Sequence, residues 1–293
     1  MTRELPLVVG VDGSDGCLPA VDWAVDEAAR HGLDLRLVHG SLWERYEGRT
    51  PSLGLDRPAG QVRADHIVAS AAERAVRRDP DVKVSTDVLL ADATDALLRA
   101  GDDATALITG SRGRGELKGL LLGSVGLTVA ARAHCPVVVV RGDKAGLAGT
   151  HQRILLGAGG PSTSGEAVRF AFREAEARGG VLDVVRAWRR AAHAPTDAPD
   201  RDHEEKAGAE LEELLAVAMS EHPGVRVHRT AVEGPARKVL VHRSAAADLV
   251  VVGARRRQGH FGLQLGTVAH TLLHHAACPV AVVPQGASWE PLV

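Results

Sequence analysis

The sequence predicts an α/β protein of two tandem domains, each a twisted parallel sheet with helices on both faces. Three observations predict it. Residues 105–141 recur about 143 positions later, as strand, glycine loop, helix and strand in the same register. Each half alternates short apolar runs with segments of helical period, in the order βαβαβαβαβ, and each parallel pair needs a right-handed crossover. The length of 293 residues suits two domains of about 150, each able to bury its own core.

In the first half, Leu5–Val11 is almost continuously apolar, as a strand buried on both faces should be. Ala20, Val21, Ala24, Val25, Ala28 and Ala29 follow at helical spacing, and Gly32 stands where a helix stops. Leu35–Val38 reads as the second strand, 41–58 as a Gly/Pro-containing loop, Val62–Arg78 as a helix and Val82–Leu89 as a strand. A short helix over Ala93–Ala100 leads to the strand Ala106–Thr109, then the glycine loop, a helix from Ser124 to Ala133 and the strand Val137–Val140. The second half repeats the order with strands at Arg153–Ala158, Val181–Val185, Val225–Val232 and Leu249–Val252. Its helices are a segment around Ala167–Ala171, His203–Ala218 and Ala236–Arg243. The polar segment Arg141–His151 reads as a linker, so the domains are expected at 1–142 and 151–287, and 189–203 as a surface loop.

A formal charge of −2 gives no reason to expect a nucleic-acid partner. No apolar run reaches the 18 or so residues of a membrane span, and the N-terminus lacks a signal-peptide pattern, so a cytoplasmic setting is expected. Cys17, Cys135 and Cys278 are odd in number and far apart; the last two precede equivalent Pro-Val strands and read as small buried residues. No HExxH or other metal spacing occurs, and His274 and His275 diverge on a helix, so no metal site is expected. A Walker A loop, a GxGxxG fingerprint and a GxSxG elbow are absent, and no hydrolytic triad assembles by spacing; no catalytic residue is assigned.

Ligands of open parallel sheets bind beyond the carboxyl ends of the strands, where strand order reverses. Three segments of the first half should meet there: Gly10-Val11-Asp12-Gly13-Ser14, Val38-His39-Gly40, and Gly110–Ser124. Gly110, Gly113 and Gly115 allow a loop whose main-chain N–H groups wrap phosphates. Gly123-Ser124 opens a helix, placing a hydroxyl and free amides at an anion. Ser111, Arg112 and Arg114 lie in the same loop, and the arginines can add charge-assisted contacts. Asp12 can accept from a base amino group or a ribose hydroxyl, or simply close a turn.

The pattern Gly110-x2-Gly113-x9-Gly123-Ser124 resembles the ATP-binding signature of the universal stress protein family, as do Val9-Gly-Val-Asp12-Gly-Ser14, Ala20-Val-Asp-Trp23-Ala24 and His134-Cys-Pro136-Val. The resemblance covers both halves. It implies Rossmann-like domains of the adenine nucleotide α-hydrolase type, each a five-stranded parallel sheet of order 3-2-1-4-5. It also implies pairing of the two domains through their last strands, a pseudo-dimer within the chain, with a homodimer and an unidentified protein partner left open. ATP is the implied cofactor. Asp12 and the chain around Gly40 would face adenine, Gly110–Gly115 the ribose and phosphates, and Gly123, Ser124 and Val125 the phosphate tail.

The second half departs from the pattern. Asp12 aligns with Gly159 in Gly157-Ala-Gly159-Gly160, Gly113 with Arg256, and Ser111 with Ala254, while Gly253, Gly266 and Thr267 remain. A side chain at position 256 obstructs the cradle unless Arg255–Arg257 bind the anion directly, so ATP is expected in the first domain more than in the second. An ATP-binding stress or signalling protein, acting through partners rather than turnover, is the leading reading; a ligand-free interaction scaffold is the alternative. An AMP-forming enzyme would need an SGGxDS-like loop, which Val11-Asp-Gly13-Ser14 does not supply.

Overall fold

In the computed structural model, residues 5–42, 59–111, 113, 122–160, 164–189, 200–255 and 265–285 are described. The chain divides after Val140 into two units. In the first, the strands are β1 (Leu7–Gly10), β2 (Leu35–Gly40), β3 (Val84–Leu89), β4 (Ala106–Gly110) and β5 (Val137–Val140). The helices are α1 (Leu18–His31), α2 (Ala59–Arg78), α3 (Ala93–Gly101) and α4 (Ser124–Arg132). All strand pairs are parallel and the order is β3-β2-β1-β4-β5. The expected order is therefore the observed one.

The register places Val8 and Val9 of β1 beside Arg36 and Leu37 of β2 on one side and Leu107 and Ile108 of β4 on the other. Val8, Val9, Leu35, Leu37, Leu107 and Ile108 are fully buried, as expected of strands covered on both faces. Each such side chain stabilises the fold by about 1.5–3 kcal/mol relative to an exposed one. Helix α1 packs on α2 and α3 on α4, so the pairs cover opposite faces. Gly32 ends α1 with φ 68°, a left-handed conformation that glycine adopts without strain. Arg74 of α2 holds Asp22 of α1 through Nε (2.7 Å) and Nη2 (2.6 Å), and Arg78 holds Asp26 likewise at 2.5 and 2.6 Å. These bidentate pairs fix α2 as a wall beside the loop that follows β1.

The second unit begins with a surprise. The segment read as a linker contains a helical turn, α5 (Lys144–Leu147), whose first turn is capped by Asp143 accepting from the Gly146 N–H at 2.9 Å. Four residues of polar, Gly-containing sequence gave no periodicity from which to read a helix. The remaining elements are β6 (Arg153–Gly157), α6 (Gly165–Ala177), β7 (Val181–Trp188), α7 (Asp200–Glu221), β8 (Arg226–Glu233), α8 (Ala236–Arg243), β9 (Leu249–Arg255), α9 (Thr267–His275) and β10 (Val280–Gln285). Strand order is β8-β7-β6-β9-β10, again parallel throughout. Helix α7 starts at Asp200, inside the segment read as loop 189–203. Cys17, Cys135 and Cys278 are all buried.

Candidate functional site

The carboxyl ends of β1 and β4 lie side by side where the strand order of the first unit reverses. Beyond β1 the Val11 N–H still donates to the Val38 carbonyl at 2.9 Å, and the chain then turns. The Asp12 carboxylate sets that turn: its Oδ1 accepts from the Ser14 N–H at 3.0 Å and from the Ser14 hydroxyl at 2.6 Å. Gly13 sits at φ 73°, which the turn requires and a side chain would resist. Asp12 and Ser14 are thus joined by a local turn, the plainer of the two roles open to that aspartate, and its second oxygen faces the glycine loop.

Two glycines of that loop are dictated by contact. A Cβ on Gly110 would stand 2.5 Å from the Gly16 carbonyl, and one on Gly113 would stand 2.6 Å from Asp12 Oδ2. The loop after β4 is therefore laid directly against the loop after β1. Its base is closed by the Ser111 N–H donating to the Val140 carbonyl (3.0 Å) and the Gly123 N–H donating to the Ser111 carbonyl (2.9 Å). Gly123 differs from the other two. Among the described residues its Cβ position meets the Ser111 carbonyl at 3.8 Å and the Gly113 nitrogen at 4.0 Å, ordinary contacts with no clash. It is the N-cap of α4, with extended φ −72° and ψ 149° and no side-chain cap. Ser124, exposed, and Val125, partly exposed, follow in the first turn, whose amides have no intrahelical acceptor. Arg112, Arg114 and Gly115 lie outside the described residues.

Three glycines expected at the site have a packing explanation. A Cβ on Gly10 would meet Leu97 at 2.8 Å, and one on Gly157 of the second unit would meet the equivalent Leu240 at 2.7 Å. A Cβ on Gly40 would meet the Ala93 Cα at 2.8 Å. All three let a helix, α3 or α8, approach the sheet closely. Neighbouring His39 is buried, with Nδ1 2.8 Å from the Val11 carbonyl.

The first unit also carries a cavity of about 770 Å³ between the β1 loop and α2. Val11, Gly13, Ser14 and Cys17 line one side, and Arg63, His66 and Ser70 of α2 line the other. Sequence reasoning followed the strand ends and missed these α2 residues. Their spacing of three and four places them on one helical face beside the buried Ala64, Ile67 and Ala71. Burial raises the Cys17 thiol, so it stays protonated at neutral pH.

In the second unit the same edge is built differently. Gly159, in the place of Asp12, donates its N–H to the Ser164 hydroxyl at 2.8 Å, and its carbonyl accepts from Arg186 Nη1 at 2.5 Å. Arg186 also pairs with Glu210. Strand pairing continues past Gly253: Ala254 and Arg255 lie opposite Pro284 and Gln285, whereas β4 ends at the equivalent Gly110. The strand thus runs two residues further in the second unit than in the first. Gly266 and Thr267 open α9, with no described residue within 4 Å of the Gly266 Cβ position. A cavity of about 280 Å³ lies there, lined by Arg189, Gly234, Arg237 and Thr267. Arg256 and the side chain of Arg255 lie outside the described residues.

The family model of universal stress proteins matches the chain twice, over residues 6–141 and 150–284. The chain belongs to that family. It is 34% identical over 308 residues to a universal stress protein of Mycobacterium tuberculosis strain ATCC 25618 / H37Rv, covering 97% of this chain and 98% of the relative. A universal stress protein of Mycolicibacterium smegmatis strain ATCC 700084 is 31% identical over 289 residues, covering 96% and 97%. Among solved structures, a universal stress protein from Archaeoglobus fulgidus DSM 4304 superposes with a TM-score of 0.72 at 18% identity, covering 96% of this chain and 98% of that one. That likeness is one of fold. Among the described residues, no helix is long and apolar enough to cross a membrane.

Proposed function

We propose that the first domain binds an adenine nucleotide, ATP in the first instance, and that occupancy of the Gly110–Ser124 loop alters a surface read by a protein partner. The observation that carries this reading is the contrast among the motif glycines. Gly110 and Gly113 bring two loops into contact, while Gly123 meets no described atom closer than 3.8 Å and stands at the N-terminus of α4, which has no side-chain cap. Main-chain donors around such a gap favour a phosphate chain. The residues fit the group: a cradle that side chains would fill, a helix N-terminus, and the Ser124 hydroxyl. When bound, ATP would supply the negative charge that draws these donors together and orders the loop. Phosphoryl transfer needs a charge clamp on the transferring group and an oriented nucleophile, and the described residues of this edge offer binding groups instead. We therefore read the protein as a nucleotide-responsive binding module acting in stress response, in a cytoplasmic setting.

The second domain is read as weak or altered toward ATP, because Gly159 is tied to Arg186 and β9 runs on as strand past Gly253. Calorimetric titration of nucleotide-free protein is expected to give one ATP site per chain of high affinity; two equal sites would overturn the asymmetry, and none would overturn the proposal. Mass spectrometry for co-purifying nucleotide supplies an independent check. Arg63 faces the cavity beside Ser14, so Arg63→Ala is expected to weaken ATP binding by roughly tenfold, about 1.4 kcal/mol, and adenosine binding much less. Equal losses for the two ligands would remove Arg63 from the phosphate side.

A further inference from the structure

Helix α9 carries three histidines outside the nucleotide-facing edge, at His270, His274 and His275. A spacing of four residues puts His270 and His274 on one face, one turn apart. Their ring centroids are 4.6 Å apart with planes inclined by 35°, whereas the His274 and His275 centroids are 6.1 Å apart. His270 is exposed and His274 half-buried. The Nε2 atom of His274 is closed off from solvent and has no hydrogen-bond partner among the described residues. A buried polar nitrogen left so calls for a partner.

We infer that His270 and His274 form a binding site for a divalent transition-metal ion of the zinc and copper type. Neutral imidazole suits these ions, and calcium or magnesium, which take oxygen ligands, would not be held. One ion held at about 2.0–2.1 Å by a nitrogen of each ring, at the angles of a four- to six-coordinate centre, sets the centroids at this separation. Such an ion would satisfy the buried Nε2 of His274 and leave its remaining positions to water on the exposed His270 side. An imidazole holds such an ion in its neutral form, and the groups around His274 are His270, His275 and Arg141. Arg141, the one cation among those neighbours, has its guanidinium engaged with the Leu272 and Leu273 carbonyls at the end of α9.

The test uses the full chain, purified without a polyhistidine tag and freed of nucleotide. Zn²⁺ and, separately, Cu²⁺ are titrated, with electron paramagnetic resonance of the Cu²⁺ form to count nitrogen ligands. One saturable equivalent per chain with two nitrogen ligands is expected. His270→Gln and His274→Gln are each expected to raise the dissociation constant by at least about tenfold, and His275→Gln to change it less than about twofold. Circular dichroism establishes that each variant is folded. Because His270 is exposed, its variant decides the matter even if His274→Gln fails to fold. No saturable binding by the wild-type chain, or unchanged affinity in folded His270→Gln, would overturn the site. The readout involves no nucleotide, so its failure leaves the ATP reading standing, and the converse holds.

Discussion

Replacing Gly123 by valine is expected to abolish ATP binding to the first domain while leaving that domain folded. The backbone there is extended, at φ −72° and ψ 149°, which a β-branched residue adopts readily. Among the described residues, the new Cβ would meet the Ser111 carbonyl at 3.8 Å and the Gly113 nitrogen at 4.0 Å, ordinary contact distances. Its methyl groups would then occupy the space between Ser111 and Gly113 where the phosphates are proposed to lie. Calorimetry should show a loss of affinity of about a hundredfold or more, near 3 kcal/mol, with an unfolding midpoint unchanged to about 2 °C. Retained affinity would remove the cradle from the proposed function. A folded variant that binds nothing would support it.

Gly110→Ala, thirteen positions earlier in the same motif, should behave in the opposite way. The added Cβ would stand 2.5 Å from the Gly16 carbonyl and 3.3 Å from the Cys17 Cα. Both are main-chain atoms, so no side chain can swing aside; β4 or the β1 loop must shift. Overpacking of this kind costs about 1–3 kcal/mol. For a domain near 150 residues that is roughly 2–12 °C in the unfolding midpoint, read by scanning calorimetry. An unaltered midpoint would show that the two loops are less tightly apposed than described. The pair of variants separates what the motif does for architecture from what it does for a ligand.

Much of the architecture was legible because both periodicities are strong. Val137–Val140 is a strand with the expected bounds, and Ala236–Arg243 a helix with the expected bounds. Duplication helped, since each half checks the other. The linker was not legible: a four-residue helix has no period to detect, and its stability comes from the Asp143 cap and its docking. At the site, Gly110 and Gly113 were expected to face phosphates, and the described neighbours they meet are Gly16 and Asp12 of the loop after β1. Gly10, Gly40 and Gly157 were expected to face a ligand, yet their missing side chains make room for α3 and α8. Sequence shows that a glycine is required without showing which neighbour requires it. Arg63, His66 and Ser70 escaped notice for a related reason: a polar residue beside an apolar stripe looks like any solvated helix face until the opposing wall is known. The second domain was readable in outline, as Gly159 announces a missing carboxylate. The capture of its carbonyl by Arg186, 27 residues away, could not be foreseen.

The short helix between the halves bears on how this protein can be taken apart. Gly142, at φ 113°, lies so close to Ala277 that a Cβ would stand 2.2 Å from its carbonyl. The Asp143 N–H donates to that carbonyl at 3.0 Å, and Arg141 covers the last carbonyls of α9. Residues 141–147 are therefore fabric of the second domain rather than slack between two. A fragment started at His151 would strip Ala277 of its donor and expose the wholly buried Cys278, so the severed domain would be prone to aggregate or oxidise. Cutting between Val140 and Arg141 keeps that seam closed, and it marks where a protease should find the second domain unwilling to yield a shorter stable piece.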